Sequence, residues 1–287
     1  MKEYSANNIK NVAVVGHGGS GKTSLVEAML FKAGCTDRLG KVADGNTVSD
    51  YDTEEIKRKA SLSLSIDPVE FQNTKINLLD TPGLFDFALG MSEGIRAAGS
   101  VLIAVSGKSG VTVGARKAYK MAEKMEKSRM IFVTKMDQEH ADFYKVLESL
   151  KASFGPSICP LVVPYVKDSK VQCYIDLVEM KAYTYENGNR KEVPMPDSEH
   201  RIEGLVNAIS EAVAETDDVL FDKYFSGEKY THEEMLKGIH KGVFDGKITP
   251  VFCGSSFTME GIDLLMEDMV EMLPSAGQKG GEEGISG

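Results

Sequence analysis

The run Gly16-His17-Gly18-Gly19-Ser20-Gly21-Lys22-Thr23 limits what this chain can fold into more than any other stretch. It fits G-x-x-x-x-G-K-[ST], a loop whose glycines let the backbone curl until successive N–H groups point inward at a polyphosphate. The candidate phosphate-binding segment runs through Ser24. Within it the backbone of His17, Gly18, Gly19, Ser20 and Gly21 counts for more than the His17 side chain. Lys22 is expected at the outer phosphates, and the Thr23 hydroxyl at Mg²⁺. Such a loop needs a strand before it and a helix after it. Val12-Ala13-Val14-Val15 reads as a buried parallel strand. Leu25, Val26, Met29 and Leu30 then recur at helical spacing as far as Gly34, a C-terminal cap. The helix N-terminus would add positive potential at the phosphates.

Two further loops follow strand-like runs, which is where open α/β sheets bind ligands. Lys75 to Leu79 leads into Asp80-Thr81-Pro82-Gly83, a D-x-x-G. Asp80 suits Mg²⁺ and the Gly83 N–H suits a γ-phosphate oxygen. Met130 to Val133 leads into Thr134-Lys135-Met136-Asp137, an N-K-x-D motif with Thr in place of Asn. The Asp137 carboxylate can accept from guanine N1–H and N2–H₂, whereas adenine would leave it unpaired. The Lys135 stem would lie on the base plane. After a later strand, Ile248 to Phe252, the pair Ser255-Ser256 has backbone N–H groups for the guanine O6, with Phe257 beside them. Ser61 ends a polar segment from about Thr36 to Ala60. It is either a γ-phosphate-sensing hydroxyl that also ligates Mg²⁺, or simply a serine that starts a strand.

Strands alternate with helices up to residue 156 and again from 246, which implies a mostly parallel sheet covered on both faces. Between them, Leu161 to Val166, Val171 to Leu177 and Lys181 to Tyr185 read as short antiparallel strands, with Asn187-Gly188 a hairpin turn. Two helices follow, near Ser198 to Ala214 and Thr231 to Val243. The expectation is an α/β core over residues 1–156 and 246–273, with a mixed, mostly parallel six-stranded sheet. An α+β subdomain is inserted at 157–245, and residues 274–287 form a flexible tail or linker.

The net charge of -10 argues against a domain that holds nucleic acid by its own field. Lys57-Arg58-Lys59, the one compact basic run, reads as a solvated face. No apolar run approaches a membrane span, and Cys35, Cys159, Cys173 and Cys253 lack metal-ligand spacing. They read as reduced thiols in a cytoplasmic protein.

The motifs resemble translation elongation factor G. The likeness rests on Gly16 to Thr23, Asp80 to Phe87, Thr134 to Asp137, Asp176 to Tyr183, Leu220 to Phe225 with Gly227-Glu228, and Cys253 to Phe257. It covers nearly the whole chain, insert included, and implies a P-loop GTPase core. GTP or GDP and Mg²⁺ are then the cofactors, and the ribosome is the partner of a longer protein. By that resemblance Lys22, Ser61 and Gly83 carry the catalytic contacts, while Thr23, Ser61 and Asp80 hold the metal. The chain departs from the family at the hydrolytic centre. Leu84 stands at the water-orienting histidine and Gly19 at the phosphate-loop aspartate. Gly18 and Ala60 replace two apolar gate residues, and Arg58-Lys59-Ala60-Ser61 replaces the first-switch signature. A positioned catalytic group contributes about 10²–10⁴-fold, so slow or externally assisted hydrolysis is expected from a divergent paralogue. A ribosome-protection or stress factor that binds GTP with little turnover is the alternative. A metabolic P-loop kinase or ATPase fits Lys135, Asp137 and the insert poorly.

Overall fold

The computed structural model describes residues 2–168, 170–196 and 199–279. After a short 3-10 turn at Ala6–Asn8 comes β1 (Ile9–Gly16), whose Val12, Ala13, Val14 and Val15 are fully buried. α1 (Lys22–Lys32) follows the phosphate loop and presses Leu25, Val26 and Met29 onto the sheet. The polar segment after it is not wholly irregular. It contains α2 (Thr53–Arg58), started by a reciprocal Asp52/Glu55 capping box and ended by Lys59 in the left-handed region.

β2 (Ser65–Phe71) and β3 (Thr74–Asp80) form a hairpin through Gln72 and Asn73, both at positive φ. That is the turn geometry whose twist matches paired strands. Pro68 is tolerated because β2 is an edge strand. Next come α3 (Ala88–Ala97), β4 (Ser100–Ser106), α4 (Val113–Lys124), β5 (Ser128–Thr134) and α5 (Phe143–Phe154). β4 and β5 are buried along their whole length, as strands covered on both faces must be.

β6 (Ile158–Pro160) then pairs parallel with a strand far along the chain, β11 (Thr249–Cys253). The core sheet therefore has seven strands in the order β2-β3-β1-β4-β5-β11-β6, with only β2 antiparallel. Six were expected from the sequence. Three residues are too few to carry a period, so Ile158–Pro160 left no signal of its own.

The insert supplies a separate antiparallel sheet, ordered β10-β9-β8-β7. It comprises β7 (Val162–Lys167), β8 (Lys170–Asp176), β9 (Lys181–Glu186) and β10 (Asn189–Val193). Asn187 and Gly188 turn between the last two at positive φ. Then follow α6 (Glu199–Ala214), α7 (Asp218–Phe225) and α8 (His232–Phe244), and after β11 comes α9 (Ile262–Met272). Residues 274–279 do not trail away as expected. Ala276 N–H reaches the Ile9 carbonyl at 2.7 Å, Ser275 is buried, and Lys279 hydrogen-bonds the Phe244 carbonyl. The rest of the expected tail, 280–287, lies outside the described residues.

The parallel order sets the C-terminal ends of β1, β3, β5 and β11 along one edge of the sheet. All four candidate loops therefore emerge together.

Candidate functional site

The phosphate loop turns through Gly16, Gly19 and Gly21, all at positive φ. Gly21, at φ 94°, is the N-cap of α1, a conformation open to glycine and costly for other residues. Lys22 is buried, and its Nζ donates to the His17 carbonyl at 3.2 Å. Burial pushes this amine down, and the Asp80 and Asp50 carboxylates oppose the shift.

Thr23, Ser61 and Asp80 come together, as the metal assignment requires. Thr23 Oγ1 donates to Asp80 Oδ2 at 2.7 Å and lies 3.1 Å from Ser61 Oγ. Asp80 is 1% exposed, and burial pushes its carboxyl up to about 7 against the pull of Lys22 and the Thr23 hydrogen bond. Its second oxygen, Oδ1, is buried with no hydrogen-bond partner among the described residues. Two hydroxyls and a carboxylate with an open oxygen make a hard-oxygen set of the kind Mg²⁺ takes. Among the described residues no three His, Cys, Asp or Glu side chains gather into a metal cluster, so the hydroxyls are essential to such a site.

Ser61 does not begin a strand, since β2 starts only at Ser65. Beside it stands a buried carboxylate that motif reading passed over. Asp50 is buried beside Ser61, with burial pushing its carboxyl up. Three more buried carboxylates fasten the 36–63 segment. Glu27 accepts from Gly40 N–H at 3.1 Å and from Val48 N–H. Glu55 accepts from Leu62 and Ser63 N–H at 2.9 and 3.0 Å. Asp67 accepts from Ser49 and Ser65 hydroxyls, both at 2.9 Å. Glu27 and Glu55, which look like solvated charges in the sequence, here replace secondary structure as backbone partners, while Asp67 ties two hydroxyls. Only their burial marks them, and a lone acidic residue in a polar stretch gives no sign of that.

The β3 loop is drawn across the phosphate loop. Thr81 binds the Val14 carbonyl through both its N–H, at 3.2 Å, and its hydroxyl, at 2.8 Å. At Gly83 a side chain would collide with Lys22 Nζ and the Gly18 backbone, so only glycine brings this N–H so near. Leu84 lies over Gly18, where even a methyl group would stand 3.0 Å from Leu84 Cδ2. Glycine at position 18 thus leaves room for the Leu84 side chain.

At the other corner the β5 loop is strutted to the phosphate loop. Thr134 Oγ1 donates to the Ser20 carbonyl at 2.6 Å, and Lys135 Nζ to the Gly19 carbonyl at 2.7 Å. Threonine in the asparagine position therefore makes a bond between the two loops. Asp137 is exposed on this loop, three residues beyond the Thr134 strut. Gly254 joins the same corner, its carbonyl accepting from Met136 N–H at 3.1 Å. Ser255 is committed within its own loop. Its N–H bonds the Glu260 carbonyl at 3.0 Å, and its hydroxyl accepts from Phe257 and Thr258 N–H, both at 3.1 Å. The Ser255 N–H is thus not the base donor expected of it, and of the pair only the Ser256 N–H remains for that role. Phe257 is exposed, with Lys41 over its ring.

Comparison with known proteins accords with this arrangement. The family described as elongation factor Tu GTP binding domain matches residues 7–275. A crystal structure of a Thermus thermophilus protein superposes with a TM-score of 0.89 at 38% identity, covering 96% of this chain and 42% of that one. The chain thus spans less than half the length of that protein. No helix among the described residues is long and apolar enough to cross a membrane. By its motifs, its fold and this match, the chain belongs to the elongation factor Tu GTP-binding domain family, as an elongation-factor-G-like G domain.

Proposed function

We propose that this domain binds GTP and GDP with Mg²⁺ and serves as the nucleotide-dependent switch of a longer translation factor. That factor acts on the ribosome in the cytoplasm, and its own hydrolysis is slow. The observation that carries the reading is the meeting of four segments distant in sequence. Thr23, Ser61 and Asp80 form one hard-oxygen corner beside Lys22, and Thr134 and Lys135 tie the base-side loop to the same phosphate loop.

In this reading the amides of His17 to Ser24 and the Lys22 amine hold the β- and γ-phosphates. Gly83 offers its N–H to the γ-phosphate, and Ser61 senses it from the first switch. Mg²⁺, when bound at Thr23, Ser61 and Asp80, would neutralise charge on the phosphate oxygens during transfer to water. Asp137 accepts from the guanine N1–H and N2–H₂, and the Ser256 N–H faces O6. Leu84 has no polar atom to orient the attacking water. A divergent paralogue that holds GTP for long periods, with a group from outside completing the site, follows from that. The same residue favours the second reading, a ribosome-protection or stress factor in which binding rather than turnover matters.

Titration calorimetry with GTP and GDP, with and without Mg²⁺, tests the first part. Tight binding that weakens on chelation is expected, and no binding of either nucleotide would overturn it. Ribosome-stimulated turnover by the full-length protein separates the two readings.

A further inference from the structure

The base-side loop 254–261 is gripped from behind by the insert. Tyr174, on β8 and 2% exposed, donates from its hydroxyl to Glu260 Oε2 at 2.9 Å. The carbonyl of Glu260 accepts the Ser255 N–H, and the two residues form an isolated antiparallel bridge. The neck of the loop admits no slack. A side chain at Gly254 would run into the Glu260 carbonyl, and one at Gly261 into the Cys253 carbonyl. Where Glu260 sits therefore decides where Ser255, Ser256 and Phe257 sit. Through Gly254, whose carbonyl holds Met136 N–H, it also bears on the loop that carries Asp137.

Neighbouring contacts keep Tyr174 in place. Its ring meets Tyr185 edge-on, centroids 5.8 Å apart. The Tyr185 hydroxyl donates to Asp263 Oδ1 at 2.6 Å in the first turn of α9. At the hairpin tip the Gly188 carbonyl accepts from Lys32 Nζ at 2.6 Å, in the last turn of α1. The insert's sheet thus touches the helix after the phosphate loop, the helix after the base loop, and the base loop itself.

We propose that Tyr174 and Glu260 are positioning residues for the guanine base: the insert sheet, through their hydrogen bond, sets the geometry of both loops that face the purine. This rests on the guanine-site reading above. A phenol donating to a carboxylate is among the stronger neutral–charged pairs, and its loss leaves a part-buried carboxylate without that donor. Neither side chain hydrogen-bonds the phosphate half of the site, held by α1 and β3, directly.

The test uses this chain with Tyr174→Phe, Glu260→Ala and Glu260→Gln, the last keeping an oxygen that accepts from the phenol. The readouts are the dissociation rate of fluorescently labelled GDP, the ratio of GDP to ADP affinity, and the melting temperature. Y174F and E260A should release GDP about tenfold faster and narrow the GDP preference by the same factor, while E260Q stays within about twofold of wild type. If Y174F fails to fold, E260A carries the test. A lowered melting temperature with an unchanged ratio, or a wild-type preference untouched by either substitution, overturns the inference alone. A wild-type chain with no preference for GDP overturns the guanine reading and this inference with it.

Discussion

Thr23 Oγ1 lies 2.7 Å from Asp80 Oδ2 across 57 positions of sequence, while the other Asp80 oxygen is buried without a partner. The carboxylate is half-satisfied, and in the proposed reading a cation completes its bonding. Asp80→Asn keeps the shape and removes the charge. It should weaken Mg²⁺-dependent GTP binding by at least about 100-fold and leave the residual binding insensitive to EDTA. Calorimetry with and without chelator reads both effects.

The same carboxyl makes stability depend on pH. Burial pushes Asp80 up to about 7, and pushes Asp50, Asp67 and Glu27 upward as well. An unfolded chain releases these protons near pH 4, so between about pH 4 and 7 the folded chain binds more protons. Stability should therefore fall as pH rises through that window in buffer free of metal and nucleotide. Glu234, held at about 2 first by its Lys223 hydrogen bond, has the opposite sign but acts only below about pH 4. His240, pushed down by burial, opposes the trend near its own range, so the readout is the difference between wild type and D80N. Melting temperatures should show the D80N chain losing less on going from pH 5 to pH 7. An equal loss in both would contradict the assignment to Asp80.

Leu84 over Gly18 places an apolar group beside the phosphate loop. Leu84→His should accelerate single-turnover GTP hydrolysis by about 10- to 100-fold without tightening GTP binding, since a positioned base acts on the transition state. Rapid quench with radiolabelled GTP measures it, and a variant no faster than wild type would contradict the role given to this position.

Much of the site could be read from the chain because its motifs depend on backbone geometry at strand ends. Glycine at 16, 19, 21 and 83, and carboxylates at 80 and 137, advertise that geometry in their spacing. The parallel order that brings those strand ends together follows from the strand–helix alternation. What stayed hidden has one physical cause. Asp50, Glu27, Glu55 and Asp67 act through burial, and burial of a single polar residue leaves no period behind it. Ser255 misled for a related reason. Its N–H is claimed by Glu260 five residues later, a closure that only the folded loop reveals.

Glu55 accepts from the backbone on both sides of the Lys57-Arg58-Lys59 run. Glu55→Ala should cost about 1–3 kcal/mol by leaving those N–H groups without their partner. It should also free the segment that carries Ser61. Limited trypsinolysis would show faster cleavage at Lys57, Arg58 or Lys59, and denaturant titration the lost stability. An unchanged digestion rate would contradict the fastening role.

The central claim is that the loop after β1 and the loop after β5, joined by Thr134 and Ser20, form one site shaped for a guanosine polyphosphate. Competition of unlabelled GDP and ADP against fluorescent GDP tests it most directly. The account predicts that GDP displaces the probe at concentrations at least about 100-fold below those of ADP. Displacement by the two nucleotides at equal concentrations would contradict it.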